Sequence, residues 1–201
     1  MTHFKNKFPG TVVEWDVVNE AVTRGLGVWG KIGDNATVAM LAFQWAHEAD
    51  PNAKLYYNDY SNEALNTKTS NAVYSFVTGL KQAGVPIDGV GMQAHFTTRA
   101  PGYDSMKANL NKFAGAGFET KFTELDVQIQ NTSTRNLKVQ AAIYEDVVQA
   151  CLDATGCTGV LTWGLTDKYS WIVNKFPLPF DTTHNPKPAY SAMQEVLSSS
   201  L

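Results

Sequence analysis

Two glutamates lie in apolar runs that are typical of buried strands. Glu20 stands at the end of one run, and Glu124 stands inside another. An unpaired buried carboxylate is costly, so acids at the ends of buried strands usually have a partner or a chemical task. Two facing carboxyl groups can hydrolyse a glycosidic bond, because one protonates the leaving oxygen while the other attacks the sugar or activates water. That chemistry needs one protonated and one ionised carboxyl group. The alternative for both glutamates is an ordinary salt bridge at the rim of the fold.

The elements that would position these acids follow a regular alternation. Segments rich in β-branched and aromatic residues and ended by polar ones predict buried strands over 12–20, 53–59, 89–95, 121–127 and 159–167. Apolar residues at helical spacing predict helices over 37–49, 66–83 and 137–152, a shorter one over 105–114 and a last one after Pro188. A helix between each pair of strands is the alternation of a parallel α/β sheet.

The polar residues of each predicted strand lie at its carboxyl end. These ends contain Asn19-Glu20, Asn58-Asp59, Gln93-Ala94-His95, Glu124-Leu125-Asp126 and residues 163–167. In a closed βα barrel such ends converge on one face, where active sites are built. A doubly wound sheet brings together only the ends near its switch point. Five polar strand ends therefore favour the barrel.

Composition excludes several classes of partner. The formal net charge is −3 and no run of Lys or Arg occurs, so neither nucleic acid nor an anionic membrane is an expected partner. No stretch of about 20 apolar residues predicts a membrane span. No His or second Cys pair lies at ligand spacing, so we expect no metal and no other cofactor. A neutral polysaccharide is compatible with this balance of charge.

Cys151 and Cys157 are six positions apart. Such a spacing can close a small loop at the end of a helix, which predicts a disulfide and an oxidising, extracellular compartment. Two free thiols in a cytosolic protein are the alternative.

Six segments, in order and over nearly the whole chain, resemble the motifs of glycoside hydrolase family 10. Residues 15–21, Trp-Asp-Val-Val-Asn-Glu-Ala, resemble the acid/base motif on that family's fourth strand, and 123–126, Thr-Glu-Leu-Asp, resemble the nucleophile motif on its seventh. The other segments resemble the fifth-, sixth- and eighth-strand regions and the closing motif, at 49–60, 85–95, 163–171 and 185–190. The cysteine pair also resembles a disulfide of fungal-type members. The resemblance implies the C-terminal part of an endo-β-1,4-xylanase with a TIM (β/α)8 barrel.

The resemblance implies a role for each residue at the strand ends. Glu20 would be the general acid and then the general base, and Glu124 the nucleophile of a retaining mechanism. Asn19 would hydrogen-bond the 2-hydroxyl of the reacting sugar. His95 and Asp126 would keep the nucleophile oriented and ionised. A further polar positioning group near both acids would be Gln93.

Several aromatic residues invite either a sugar-binding or a packing interpretation. The resemblance assigns Trp163 and Trp171 to flat apolar faces for sugar rings, and Tyr60 could do the same on the leaving-group side. Burial in the core is the alternative for each, since Trp is usually highly buried. Trp45 matches no motif and is predicted to pack in the core from its helix face.

The family's barrel has eight strands and typically about 250 residues, whereas only five strands, corresponding to strands four to eight, are predicted here. We therefore expect residues 1–201 to form one partial barrel domain, truncated at the N-terminus, that lacks part of the sugar-binding wall. An open sheet exposes two parallel edges, which would pair by self-association or with a complementing N-terminal fragment. Activity of the chain alone stays an open question at this point.

The expected function is that of a secreted, cofactor-independent, retaining endo-β-1,4-xylanase acting on xylan or xylo-oligosaccharides. A β-1,4-glucanase is one alternative, because related barrels share the Asn-Glu element. The motif at residues 15–21 favours xylan. An inactive carbohydrate-binding fragment is a second alternative. The presence of both glutamates favours an enzyme.

Overall fold

Short apolar strands, flanked by helices, form one parallel sheet in the computed structural model, which describes residues 1–199. The strands are β1 (Glu14–Asn19), β2 (Lys54–Asp59), β3 (Gly89–Met92), β4 (His95–Thr97), β5 (Glu119–Gln128) and β6 (Cys157–Thr162). The helices are α1 (Thr2–Lys7), α2 (Asn35–Ala49), α3 (Lys68–Gln82), α4 (Tyr103–Gly115), α5 (Thr134–Asp153) and α6 (Pro188–Ser199). Single 3-10 turns occupy Gly27–Lys31 and Asp167–Tyr169.

The strands pair in the order β1-β2-β3-β5, with β6 on the far side of β5, and every pairing is parallel. β4 continues the line of β3 and pairs with the second half of β5. The predicted alternation of parallel strands and helices is therefore confirmed. The predicted domain 1–201 extends two residues beyond the described part of the chain.

Two predicted strands differ from the observed ones by more than two residues at one end. The segment predicted as one strand over 89–95 is two strands, because Ala94 between them has a left-handed backbone with φ 62°. The strand predicted over 159–167 begins earlier, at Cys157, and ends at Thr162. The polar and aromatic residues that follow lie in a loop, where Gly164 adopts φ 120°, a value that excludes most other residues.

Side-chain caps decide where three of the helices begin. Asp34, Thr67 and Ser133 each accept a hydrogen bond from the backbone N–H three residues later, ahead of α2, α3 and α5. Such caps satisfy backbone donors that the first helical turn leaves unpaired. α2 and α5 consequently begin a turn or less before their first predicted apolar residue, and α3 begins two residues later than predicted.

One apolar cluster runs through the sheet and its helices. α3 contributes Val73 and Val77, α5 contributes Val147, and the sheet contributes fully buried residues such as Leu55 and Phe122. The Cys151–Cys157 disulfide joins the end of α5 to the start of β6, with 5.2 Å between the two Cα atoms. The predicted disulfide is therefore confirmed. Within residues 1–199, no helix is long and apolar enough to span a bilayer.

Both edges of the sheet are open among the described residues, since β1 pairs only with β2 and β6 only with β5. An apolar groove of about 470 Å³ runs beside β1 and is lined by Leu26, Trp29, Leu41 and Trp45, among others. The prediction of a core position for Trp45 was wrong, because its side chain is 59% exposed. The helix face that carries Trp45 lines this groove, and no described element covers it.

Candidate active site

Parallel pairing brings the carboxyl ends of the strands to the same end of the sheet, as predicted from their polar residues. A cavity of about 340 Å³ opens there. Both glutamates line it, and seven of the nine catalytic, binding and supporting residues predicted from the sequence lie in its wall. The wall consists of Glu20, Arg24, Tyr60, Gln93, His95, Glu124, Trp163 and Trp171.

Glu20 lies one residue past β1, in a left-handed backbone conformation with φ 59°. Its N–H still donates to the Asn58 carbonyl oxygen at 2.8 Å, so the strand ladder holds the backbone through the bend. Non-glycine residues rarely adopt this conformation, and it persists at functional sites where the surroundings enforce it. Oε1 accepts a hydrogen bond from Gln93 Nε2 at 3.0 Å, and Oε2 lies 3.2 Å from Arg24 Nε.

Glu124 lies within β5 and is only 9% exposed. Its Oε1 accepts a hydrogen bond from Asn58 Nδ2 at 2.7 Å. Its Oε2 lies 3.0 Å from His95 Nε2. Because each carboxylate oxygen has its own partner, the side chain is held in one orientation at the cavity wall.

Three amide side chains connect the two glutamates. Asn19 Oδ1 accepts hydrogen bonds from Asn58 Nδ2 at 3.1 Å and from Gln93 Nε2 at 3.2 Å. The second hydrogen of each of these two amide groups goes to a glutamate, Asn58 to Glu124 and Gln93 to Glu20. The separation of the two acids is therefore set by a continuous hydrogen-bonded path. Asn19 itself is exposed, and none of the described residues accepts a hydrogen bond from its Nδ2 group.

Asn58 was noted as a strand end in the sequence but was not predicted to belong to the site. Its position depends on Gly91 across the strand pair, because a Cβ there would collide with the side chains of Asn58 and Thr123. Thr123 Oγ1 donates to Asn58 Oδ1 at 2.7 Å and so turns the amide nitrogen toward the nucleophile candidate. An amide paired across the sheet with Asn19 on one side and glycine on the other is the signal that could have found it.

His95 lies between two carboxylates. Its Nδ1 is 3.1 Å from Asp126 Oδ2, which also accepts a hydrogen bond from Trp171 Nε1 at 2.7 Å. Asp126 is fully buried and does not line the cavity, so it acts there through His95 and Trp171. Burial opposes charge on the imidazole, but its contacts with Asp126 and Glu124 outweigh burial and raise the pKa of His95 to about 9. His95 is therefore a cation at neutral pH.

This pKa predicts how stability depends on pH. The value rises from an ordinary 6.5 to about 9 on folding, so between these pH values the folded state binds the proton and the unfolded state does not. The stabilisation is complete below pH 6.5 and is lost as the pH rises through 9, by about 3 kcal/mol in all. Urea unfolding at pH 6 and pH 9.5 measures this loss. His95→Gln should flatten the dependence, and an equally steep dependence in that variant would contradict the assignment.

Trp163 and Trp171 are 49% and 59% exposed, so the interpretation as core residues is wrong for both. Their rings lie at steep angles of 78° and 60° to the His95 ring, with centroids 6.3 and 5.2 Å apart. Tyr60 is partly buried and lies under the Arg24 guanidinium, 5.6 Å from its ring centroid. Exposed aromatic faces beside a polar cavity suit the stacking of sugar rings.

Arg24 was not singled out in the sequence, although its spacing of four from Glu20 is a signal for an ion pair. Its backbone N–H donates to the Glu20 carbonyl oxygen at 2.9 Å, which places the guanidinium beside the acid. Arg24 and the protonated His95 are the two cations in the wall of the cavity. Among residues 1–199, no group of His, Cys, Asp and Glu side chains is arranged to hold a metal ion.

Comparison with known proteins gives consistent matches. The family model described as "Glycosyl hydrolase family 10" matches residues 1–196. Endo-1,4-beta-xylanase B of Thermotoga neapolitana is 41% identical, with 96% of this chain and 59% of the relative aligned. Endo-1,4-beta-xylanase 5 of Pyricularia oryzae is 40% identical, with 98% and 52% aligned. The chain thus spans between half and three fifths of these curated relatives.

Solved structures agree in fold as well as in sequence. Native xylanase 10B from Thermotoga maritima superposes with a TM-score of 0.89 at 42% identity, covering 98% of this chain and 63% of that one. Xylanase 10B from Thermotoga petrophila, solved in complex with xylobiose, gives a TM-score of 0.89 at 42% identity, covering 98% and 62%. Nearly the whole of this chain therefore shares its fold with part of these longer chains.

Proposed function

Because the chain belongs to glycosyl hydrolase family 10, we propose that it hydrolyses internal β-1,4-xylosidic bonds of xylan with retention of configuration. The motif resemblance and the fold class, an α/β piece of a TIM (β/α)8 barrel with five βα units, are confirmed by the same comparisons. The observation that carries the proposal is the hydrogen-bonded path that joins Glu20 and Glu124 in one cavity beside exposed tryptophans.

In the first step Glu124 attacks the anomeric carbon while Glu20 gives its proton to the departing glycosidic oxygen. The carbon–oxygen bond to the leaving sugar breaks, and a glycosyl ester forms on the nucleophile. Glu124 suits attack as an anion, because both of its oxygens are oriented and a charged imidazole lies 3.0 Å away. Glu20 suits proton transfer, because its side chain is 18% exposed and reaches the cavity.

In the second step Glu20, now ionised, takes a proton from water, and the water oxygen attacks the same carbon. The ester to Glu124 breaks, and the acid returns to its protonated form. Two successive inversions at one carbon leave the configuration unchanged. His95 and Asp126 keep the nucleophile Glu124 in place through both steps. Gln93 donates a hydrogen bond to Glu20 and so holds the acid at a constant distance from Glu124.

Recognition of the sugar falls to the exposed groups around the acids. The Nδ2 group of Asn19 can donate to a sugar hydroxyl, and its oxygen is already held by two amides. Trp163 and Trp171 offer stacking surfaces on one side of the cavity, and Tyr60 offers one beside Glu20 on the leaving-group side. This arrangement suits a neutral polysaccharide such as xylan or its oligosaccharides.

Release of reducing sugars from xylan and from cellulose, measured in parallel on the purified chain, tests the proposal. We expect faster release from xylan, and no release by Glu124→Gln. Faster release from cellulose would favour a β-1,4-glucanase instead. Binding to xylan without any release would favour an inactive carbohydrate-binding fragment. Both outcomes would overturn the proposed activity.

The oligomeric state is part of the same proposal. Residues 1–201 would act as one partial barrel domain, supported by the single apolar cluster that runs from β1 to α6. The open edges of β1 and β6 and the exposed groove at Trp29 and Trp45 support pairing with a second copy or a complementing N-terminal fragment. Sedimentation velocity on the assayed sample, with and without such a fragment, would oppose pairing if only monomers are found.

We also propose that the protein works outside the cell. The Cys151–Cys157 disulfide supports this, because such bonds persist in oxidising compartments. A solved xylanase from Thermoanaerobacterium saccharolyticum, 36% identical to this chain, is described as intracellular, so family membership alone does not decide the compartment. Recovery of the chain from culture medium, with both cysteines resistant to alkylation, is the expected result.

A further inference from the structure

The bend between β3 and β4 determines where two residues of the site point. Ala94 at the bend is fully buried and has φ 62°, in the left-handed region that alanine rarely occupies. Gln93 on one side contacts Glu20, and His95 on the other contacts Glu124. A strained backbone of this kind persists only where the surrounding structure enforces it. The groups that hold Ala94 are therefore part of what aligns the site.

The backbone hydrogen bonds around the bend show which groups these are. The Gln93 N–H donates to the carbonyl oxygen of Asp59, the last residue of β2, at 2.9 Å. The next donor, the Ala94 N–H, belongs to the residue with the left-handed backbone and pairs with neither neighbouring strand. It donates instead to Oε1 of Glu63 at 2.9 Å. A side chain thus takes the place of the missing strand partner, as a buried N–H requires.

Glu63 is itself held in place by side chains of α3 and α4. Its side chain is buried, with 3% of the residue exposed. Asn109 Nδ2 donates to the carbonyl oxygens of Asn62 and Glu63, at 2.7 and 3.2 Å, and Ser70 Oγ donates to Asn109 Oδ1 at 2.7 Å. Burial raises the pKa of Glu63, while backbone N–H groups and the charge of His95 act in the opposite direction. A buried acid with this support has a fixed position.

We propose that Glu63 is a positioning residue for the proposed hydrolysis, because its carboxyl group holds the bend at Ala94 that aims Gln93 and His95 at the two glutamates. The inference rests on the proposed function for its consequence in catalysis, but its geometric part does not. Glu63 does not line the cavity and acts only through the backbone that it fixes.

The titration of the His95 imidazole, followed by NMR, reports the alignment directly and needs no turnover. The charged groups that face His95 are Glu124 and Asp126 on β5 and Glu63 behind the bend, and the rings of Trp163 and Trp171 cover it. In the unaltered chain we expect a midpoint near the value of about 9 that the site geometry supports. Any change that releases the bend should move it toward 6.5.

Three variants separate positioning from stability. Glu63→Ala removes the acceptor and should lower the His95 midpoint by more than about one pH unit. Glu63→Gln keeps an acceptor oxygen for the Ala94 N–H and loses only the charge that faces His95, so it should lower the midpoint by clearly less than Glu63→Ala does. Tyr56→Phe, the matched control, removes the hydrogen bond of a buried side chain to Glu119 at the amino end of β5, away from Glu63 and the bend, and should lower stability but not the midpoint.

An unchanged midpoint in Glu63→Ala, or a shift of equal size in Glu63→Gln or in Tyr56→Phe, would overturn the proposal. If Glu63→Ala does not fold, Glu63→Asp takes its place, because one methylene fewer withdraws the acceptor from Ala94. A lowered midpoint is then expected, and an unchanged one would again overturn the proposal. Where the chain hydrolyses xylan, Glu63→Ala should lower kcat more than it raises KM. A chain without any hydrolysis would contradict the proposed function while the NMR result still decides the geometry.

Discussion

Replacing Glu124 by alanine is expected to lower kcat on xylan by more than about 10⁴-fold, because no glycosyl ester can then form. Glu20→Ala should cost about 10²- to 10⁴-fold on xylan, the usual contribution of a general acid. On an aryl xylobioside with an acidic phenol as leaving group, the loss of rate caused by Glu20→Ala should be smaller, since the phenol oxygen departs without a proton. Initial rates on both substrates measure the difference between the two glutamates.

Added azide distinguishes the two roles by stereochemistry. In Glu20→Ala the glycosyl ester still forms, so azide should attack it from the opposite face and give the β-glycosyl azide. In Glu124→Ala azide should replace the nucleophile on the other face and give the α-product. The reverse pattern would contradict the assignment of roles. Glu119→Gln is the matched control, because it removes a negative charge from the far end of the same strand, outside the cavity.

Replacing Lys187 by methionine is expected to lower the free energy of unfolding by about 3–5 kcal/mol. Its Nζ lies 3.0 Å from Asp167 Oδ2, and the two side chains are only 6% and 3% exposed. The same nitrogen donates to the carbonyl oxygens of Phe176 and Leu178, at 2.7 and 2.8 Å. The variant leaves a buried carboxylate and two carbonyl groups without their donor, and urea unfolding measures the cost.

The effect of burial on this ion pair predicts a partial rescue. Burial lowers the pKa of Lys187 and raises the pKa of Asp167, so each charged form depends on the other. Lys187→Met combined with Asp167→Asn should therefore be more stable than Lys187→Met alone. Lys54→Met is the control, since this half-exposed lysine pairs with Glu119 at the surface and should cost less than about 1 kcal/mol. Equal losses in the two single variants would refute the argument.

The amino-acid sequence by itself determined the alternation of strands and helices and the end of the sheet at which the candidate active site lies. Apolar runs and helical spacing depend on residues that are near one another in the chain, so they are readable without a fold. The polar end of each strand followed from the same reading, and parallel pairing then placed Glu20, His95 and Glu124 around one cavity. The cysteine pair was similarly readable, because six positions separate its members.

Only the tertiary structure decided how these residues are held. The register of β2 against β1 and β3 gives Asn58 its bond to Glu124, 66 positions away in the chain, with the space provided by Gly91. The bend at Ala94 divides a predicted strand, because Glu63 supplies an acceptor that no local pattern shows. The exposure of Trp45 follows from the open edge of β1. Local periodicity states which face of an element is apolar, but packing across the sheet decides what that face meets.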